Sequence, residues 1–150
     1  MGLFEQINED IKSAMKNKEE ARLRGLRGIK SALLLARTEK GAGDALTNEK
    51  EMQILQKLVK QRKESLDIYA QQGRTDLATA EQEEIDVIEH YLPKQMDEAT
   101  LRTTLQQIIA QVGASGPQDM GKVMGTATKQ LAGQADGKMI SAIVKELLVN

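Results

Sequence analysis

The sequence predicts an all-α protein, on three observations. Apolar residues recur at spacings of three and four along nearly the whole chain. No stretch alternates polar and apolar positions with the β-branched and aromatic content of a strand. The breaks between periodic stretches carry the glycines, prolines and short polar residues that start and stop helices. The expected architecture is an N-terminal bundle of about four helices followed by a small three-helix unit.

A first helix is expected from Gly2 to about Asn17, with Leu3, Ile7, Ile11, Ala14 and Met15 on one face. A second, about Lys18 to Glu39, carries Leu26, Ile29, Leu33 and Ala36 at helical spacing and is expected to stop at Lys40–Gly43. Thr47 or Asn48 can cap a third, whose stripe is Met52, Leu55, Leu58, Val59, Leu66 and Tyr69 and which Gly73 ends. The fourth runs from about Thr75 to Tyr91, with Leu77, Ile85, Ile88 and Leu92 inward. It is halted by Pro93, whose ring disfavours helix in the residue before it. That proline divides the chain into an expected N-terminal domain, 1–92, and a C-terminal one, 93–150.

Beyond it, Asp97 caps a fifth helix built on Leu101, Leu105, Ile108, Ile109 and Val112, and Gly113–Gly116 form a turn with Pro117 near the next helical start. The sixth helix carries Met120, Val123, Met124, Ala127 and Leu131. The seventh, capped by Asp136, carries Ile140, Ile143, Val144, Leu147 and Leu148.

Composition narrows the function. The 150 residues hold 21 basic and 22 acidic side chains, a formal charge of −1, so any electrostatic partner must be met by a local patch. The absence of cysteine removes disulfides, thiolate metal sites and cysteine nucleophiles, and suits a reducing compartment, with cytoplasm as the expected location. The longest apolar run, Ala32–Ala36, is five residues, against about 20 needed to span a bilayer. The N-terminal MGLFEQ lacks signal-peptide character and places Gln6 where a myristoylation motif wants Ser or Thr. No membrane association is expected.

Catalytic constellations are missing from the pattern. One histidine, His90, stands without a Gly-x-Ser-x-Gly elbow, and is read as a solvated or capping residue near a helix end rather than as a partner of Asp86. Glu81, Glu83, Glu84, Asp86 and Glu89 read as a solvated acidic face, because four-helix di-metal sites require two Glu-x-x-His units. Gly133–Met139 (GQADGKM) has three residues between its glycines, not four, and no Ser or Thr after Lys138, so it is not a nucleotide loop. A phosphate at that helix start is opposed by Asp136 in the cap position. No catalytic residue, metal or cofactor is expected.

Basic residues at helical spacing are more informative. Arg24, Arg27, Lys30 and Arg37 fall within about 140° of arc on the second helix, and Lys50, Lys57, Lys60 and Lys63 do the same on the third. Two such ribbons can flank a groove for a phosphate backbone. The only aromatics are Phe4, Tyr69 and Tyr91, too few for base stacking, which favours shape recognition of folded RNA. Arg62 falls in the middle of the apolar stripe, where its charge is either paired to fix helix register or lines a groove. Gly121 and Gly125 share one face of the sixth helix, which admits close packing by a neighbouring or partner helix beside Met120 and Met124.

Five blocks in order then resemble the GatB/YqeY family: Ile7–Lys16 (INEDIKSAMK), Val59–Ser65 (VKQRKES), Tyr91–Gln95 (YLPKQ), Asp119–Gly125 (DMGKVMG), and Ala135–Lys138 (ADGK) followed by Ile143–Leu147 (IVKEL). The domain of that family also forms the C-terminal tail of the B subunit of glutamyl-tRNA(Gln)/aspartyl-tRNA(Asn) amidotransferase. The resemblance implies an all-helical two-part fold and, in the amidotransferase, a tail that grips the outside of transfer RNA while other domains do the chemistry. No amidase Ser-Lys-Ser machinery occurs here, so carbon–nitrogen ligation with glutamine as amide donor is expected only within a larger complex.

The expected function is a non-catalytic tRNA-binding module. Its candidate contacts are Arg24, Arg27, Lys30, Lys57, Lys60, Arg62, Lys63, Lys122 and Lys138. The alternative is an adaptor for an amidotransferase subunit or an aminoacyl-tRNA synthetase, docking through Gly121, Gly125, Met120 and Met124.

Overall fold

A computed structural model describes residues 2–39 and 46–149, which are helical apart from short connections. The stop expected at Lys40–Gly43 lies outside the described residues. The chain divides into two compact units, 1–92 and 93–150.

The first unit holds α1 (Leu3–Lys16), α2 (Glu20–Glu39), α3 (Asn48–Gln71) and α4 (Thr75–Glu89). Its centre is α2, which packs against the other three, while α3 and α4 form the most extensive pair. Ile7, Ala14, Leu26, Ile29, Leu33, Met52, Leu55, Val59, Ile85 and Ile88 are withdrawn from solvent. At about 1.5–3 kcal/mol for each fully buried aliphatic side chain, this stripe-on-stripe burial is what makes the isolated periodicities into stable helices.

Local chemistry sets the ends. The Thr47 hydroxyl accepts from the Lys50 amide at 3.1 Å, making Thr47 the cap of α3. Gly73, at φ 71°, takes the left-handed conformation that turns α3 into α4. Between α1 and α2 the sequence pattern shows almost no gap, yet Asn17–Glu19 form a turn with Lys18 at φ 56°, closed by the Glu19 amide on the Ala14 carbonyl at 2.9 Å. A non-glycine residue carries that turn, so no glycine or proline announces it. The last helical residue of α4 is Glu89, two residues before the expected end. Tyr91 and Leu92 continue only as single-turn bonds to the Ile88 and Glu89 carbonyls before Pro93.

The second unit holds α5 (Glu98–Val112), a 3-10 turn at Pro117–Asp119, α6 (Met120–Gln130) and α7 (Gly137–Val149). Leu101, Leu105, Ile108, Val123, Ala127, Leu131, Ile140, Ile143, Val144 and Leu148 form its core. Asp97 caps α5 through the Thr100 amide at 2.7 Å, and that bond holds its carboxyl below the usual carboxylate range. Gly113, at φ 69°, ends the same helix. The segment entering the unit is tied down by the Met96 amide on the Gln134 carbonyl at 2.9 Å and the Gln95 side-chain amide on the Gly133 carbonyl at 2.6 Å.

Candidate nucleic-acid interface

The basic residues of α2 divide into two sets. No acidic residue occurs between Glu20 and Glu39, and five cations do. Arg24 and Arg27 are exposed and make no ion pair among the described residues. Lys30 and Arg37 turn instead toward α1, where the Lys30 Nζ stands 6.0 Å and the Arg37 guanidinium 4.3 Å from the centre of the Phe4 ring. Cations over a ring face gain from its negative quadrupole, so these two serve the α1–α2 contact. Arg37 also faces Glu51, whose carboxyl is pushed up by burial and drawn partly back by that guanidinium. Sequence spacing grouped all four; the one hint of their division was Phe4, too distant in sequence to be linked by periodicity.

On α3, Lys57, Lys60 and Lys63 are exposed and make no ion pair among the described residues. No acid occurs from Met52 to Lys63. Lys50 is half-buried at the start of α3.

Arg62 is not part of this ribbon. Its side chain is 18% exposed and its Nε lies 3.6 Å from Glu84 Oε1 on α4, itself 19% exposed. The Nη1 donates to the Leu58 carbonyl at 3.3 Å, and a Cβ on Gly28 of α2 would sit 2.9 Å from the Nη2. Arg62 therefore joins three helices, and a glycine at 28 leaves room for its guanidinium. The acidic face of α4 is correspondingly mixed: Glu83, Asp86 and Glu89 are exposed, whereas Glu81 and Glu84 turn inward. Burial, then the charge of Glu84, pushes the Glu81 carboxyl up. Among the described residues no three His, Asp or Glu side chains are grouped as metal ligands.

Helical phase then fixes where the ribbons point. Taking the Arg62–Gly28 contact as the side of α3 that faces α2, Lys60 lies about 160° around the helix, Lys57 about 140° and Lys63 about 100°. The lysine ribbon thus lies on the side of α3 away from that contact. Periodicity gives the phase of each helix by itself but not the direction of its neighbour.

In the second unit Lys122 and Lys138 are exposed. The Asp136 carboxylate accepts from the Lys138 amide at 3.2 Å, so the start of α7 is capped by the protein's own anion. Met120 and Met124 pack against the core of their own unit and are partly accessible. Gly121 and Gly125 are exposed, and a Cβ at either position would meet nothing within 4 Å.

The sequence profile of the Yqey-like protein family matches residues 4–148, nearly the whole chain. The chain belongs to that family. This Yqey-like protein is also similar to curated relatives called "Altered inheritance of mitochondria protein 41, mitochondrial" in three fungi. In Pyrenophora tritici-repentis the identity is 25% over 151 residues, covering 95% of this chain and 79% of the relative. In Lachancea thermotolerans it is 26% over 113 residues, covering 74% and 60%, and in Meyerozyma guilliermondii 32% over 122 residues, covering 79% and 63%. The matched region thus spans less than two thirds of the last two relatives. Among the described residues of the Yqey-like chain, no helix is long and apolar enough to cross a membrane.

Proposed function

We propose that this Yqey-like protein is a non-catalytic module that binds transfer RNA through phosphate contacts, with chemistry left to partner subunits. The observation that carries the reading is the lysine ribbon of α3: Lys57, Lys60 and Lys63, exposed and free of ion pairs among the described residues, on a stretch without acids. Arg24 and Arg27 form a second, smaller basic surface on α2, and Lys122 and Lys138 are the candidates in the second unit. Lys30 and Arg62 are left out, because Lys30 turns toward Phe4 of α1 and Arg62 is paired with Glu84. The cysteine-free sequence suits a reducing location, which we assign to the cytoplasm; cell fractionation tests this against the mitochondrial location named for the fungal relatives.

The test is titration of labelled total transfer RNA at several salt concentrations, with Lys57→Glu/Lys60→Glu and Arg24→Glu/Arg27→Glu beside the parent. Each phosphate contact removed is expected to lower the salt slope by about 0.7–0.9. A parent affinity independent of salt, or one untouched by both double variants, overturns the reading.

A second reading, an adaptor for an amidotransferase subunit or an aminoacyl-tRNA synthetase, is favoured by the open glycine face of α6. Gly121 and Gly125 serve no packing within the described residues, yet they admit a partner's backbone closely. Loss of a purified partner on Gly125→Leu, with helicity retained, supports it; unchanged binding removes it.

A further inference from the structure

Two of the sequence blocks, Ile7–Lys16 and Tyr91–Gln95, meet at a place that RNA binding does not explain. Tyr91, just past the end of α4, donates its hydroxyl to Asp10 of α1. Arg22, in the first turn of α2, lies 3.8 Å from the same carboxylate and 2.8 Å from Glu19. Beside this network opens a cleft of about 430 Å³ lined by Glu19, Arg22, Asp86, Val87, His90 and Tyr91. Its volume is within the usual range for a small-molecule site, about 300–1,000 Å³.

The charge of the cleft is unbalanced. Arg22, the one guanidinium lining the cleft, is already met by Asp10 and Glu19, and Asp86 lines it as a further carboxylate. Among the described residues Asp86 receives the neutral amide of Gln82, at 2.9 Å, and no cation. The cleft also lies at the C-terminal end of α4, where the helix presents its partial negative charge, and α4 contains no Lys or Arg from Thr75 to Glu89. Val87 and the rings of Tyr91 and His90 supply the remaining wall. The two rings stand edge to face, 5.2 Å between centroids and 88° between planes. Among the described lining residues the one Lys or Arg, Arg22, is already paired, and the described residues offer no set of three metal ligands. A cation with a carbon stem matches both the excess carboxylate charge and the apolar and aromatic wall.

We propose that this cleft binds an organic cation, with an ammonium or guanidinium head drawn to Glu19 and Asp86 and its stem against Val87 and the Tyr91 and His90 rings. The source is either a free amine or the Lys or Arg side chain of another protein, and the same chemistry serves both. The site is separate from the lysine ribbon of α3 and does not depend on RNA binding.

The chain has a single histidine, so the ring C–H signals of His90 are an unambiguous reporter inside the cleft. The intact protein is titrated at constant ionic strength with agmatine, spermidine and the tripeptide acetyl-Gly-Arg-Gly-amide, with sodium chloride and glutamate as controls. Saturable shifts of the His90 signals are expected with the cations alone. Asp86→Asn, which leaves the Arg22 contacts in place, is expected to weaken them by about tenfold, and Lys60→Glu to leave them unchanged. Response to agmatine and spermidine but not to the tripeptide assigns a free amine; response to the tripeptide assigns a protein side chain. No shift, shifts matched by sodium chloride or glutamate, or binding indifferent to Asp86→Asn overturns the proposal. RNA binding that survives such a failure leaves the tRNA reading standing.

Discussion

In α2 the glycines at 25 and 28 face neighbouring helices: a Cβ on Gly25 would come within 2.8 Å of Val87 on α4, and one on Gly28 within 2.9 Å of the Arg62 guanidinium on α3. In α6 the glycines at 121 and 125 face outward, where a Cβ would meet nothing within 4 Å. All four positions are helical, and each glycine weakens its helix by roughly 0.5–1 kcal/mol relative to alanine. The first pair offsets that cost through closer packing inside its own unit. The second gains no such packing among the described residues.

The largest break of this comparison is expected from Gly25→Ala. Val87 is β-branched and stiff, and the added methyl is expected to destabilise the first unit by about 1–3 kcal/mol in denaturant unfolding. Val87→Ala in the same chain should return part of the loss, a coupling read from the double-mutant cycle. Gly28→Ala is expected to do less harm, because the atom in its way is the far end of a flexible arginine.

Arg62→Ala is expected to destabilise the first unit by about 1–3 kcal/mol, since it leaves the largely covered Glu84 without its cation. Replacing Glu84 by Gln in that background should recover part of the loss; no recovery would mean that packing of the arginine stem, not the charge, holds α3 to α4.

Gly121→Ala and Gly125→Ala are expected to act in the opposite direction, stabilising the second unit by roughly 0.5–1 kcal/mol each. Amide hydrogen exchange on the intact chain reads the two units separately. Loss of protection in α6 would show that the glycines serve the fold after all.

The smallest expected effect is a difference in alkaline tolerance. Burial, then the bond to Asp10, pushes the Tyr91 phenol well above its ordinary value, so the folded first unit keeps the proton that the unfolded chain releases above about pH 10. That contribution is complete below the unfolded value and is lost as pH rises toward the folded one. The second unit contains no tyrosine. Thermal melts followed by circular dichroism should show a loss of stability above about pH 10 that is smaller in Tyr91→Phe; identical profiles would remove Tyr91 from the account.

Caps and turns were largely legible because their causes are local. Thr47, Asp97 and Asp136 each sit within three residues of the amide they satisfy. The turn at Lys18 was not, because its left-handed residue is not glycine. Of the candidate interface, sequence supplied the ribbons and their helical phase. It did not separate Arg24 and Arg27 from Lys30 and Arg37, since that division depends on Phe4 of another helix. It put Met120 and Met124 on the apolar stripe of α6, but it did not show that Gly121 and Gly125 meet no neighbour in their own unit.

The sequence by itself determined the helices and the family, because helical periodicity and capping act over three or four residues and motifs are read in order along the chain. Tertiary structure alone decided which cations are free, that Arg62 answers Glu84, that Tyr91 reaches Asp10, and that the lysine ribbon of α3 lies away from the Arg62–Gly28 contact. These depend on how one helix is rotated against another, and that rotation is set by the packing of Ile, Leu and Val side chains from several helices at once.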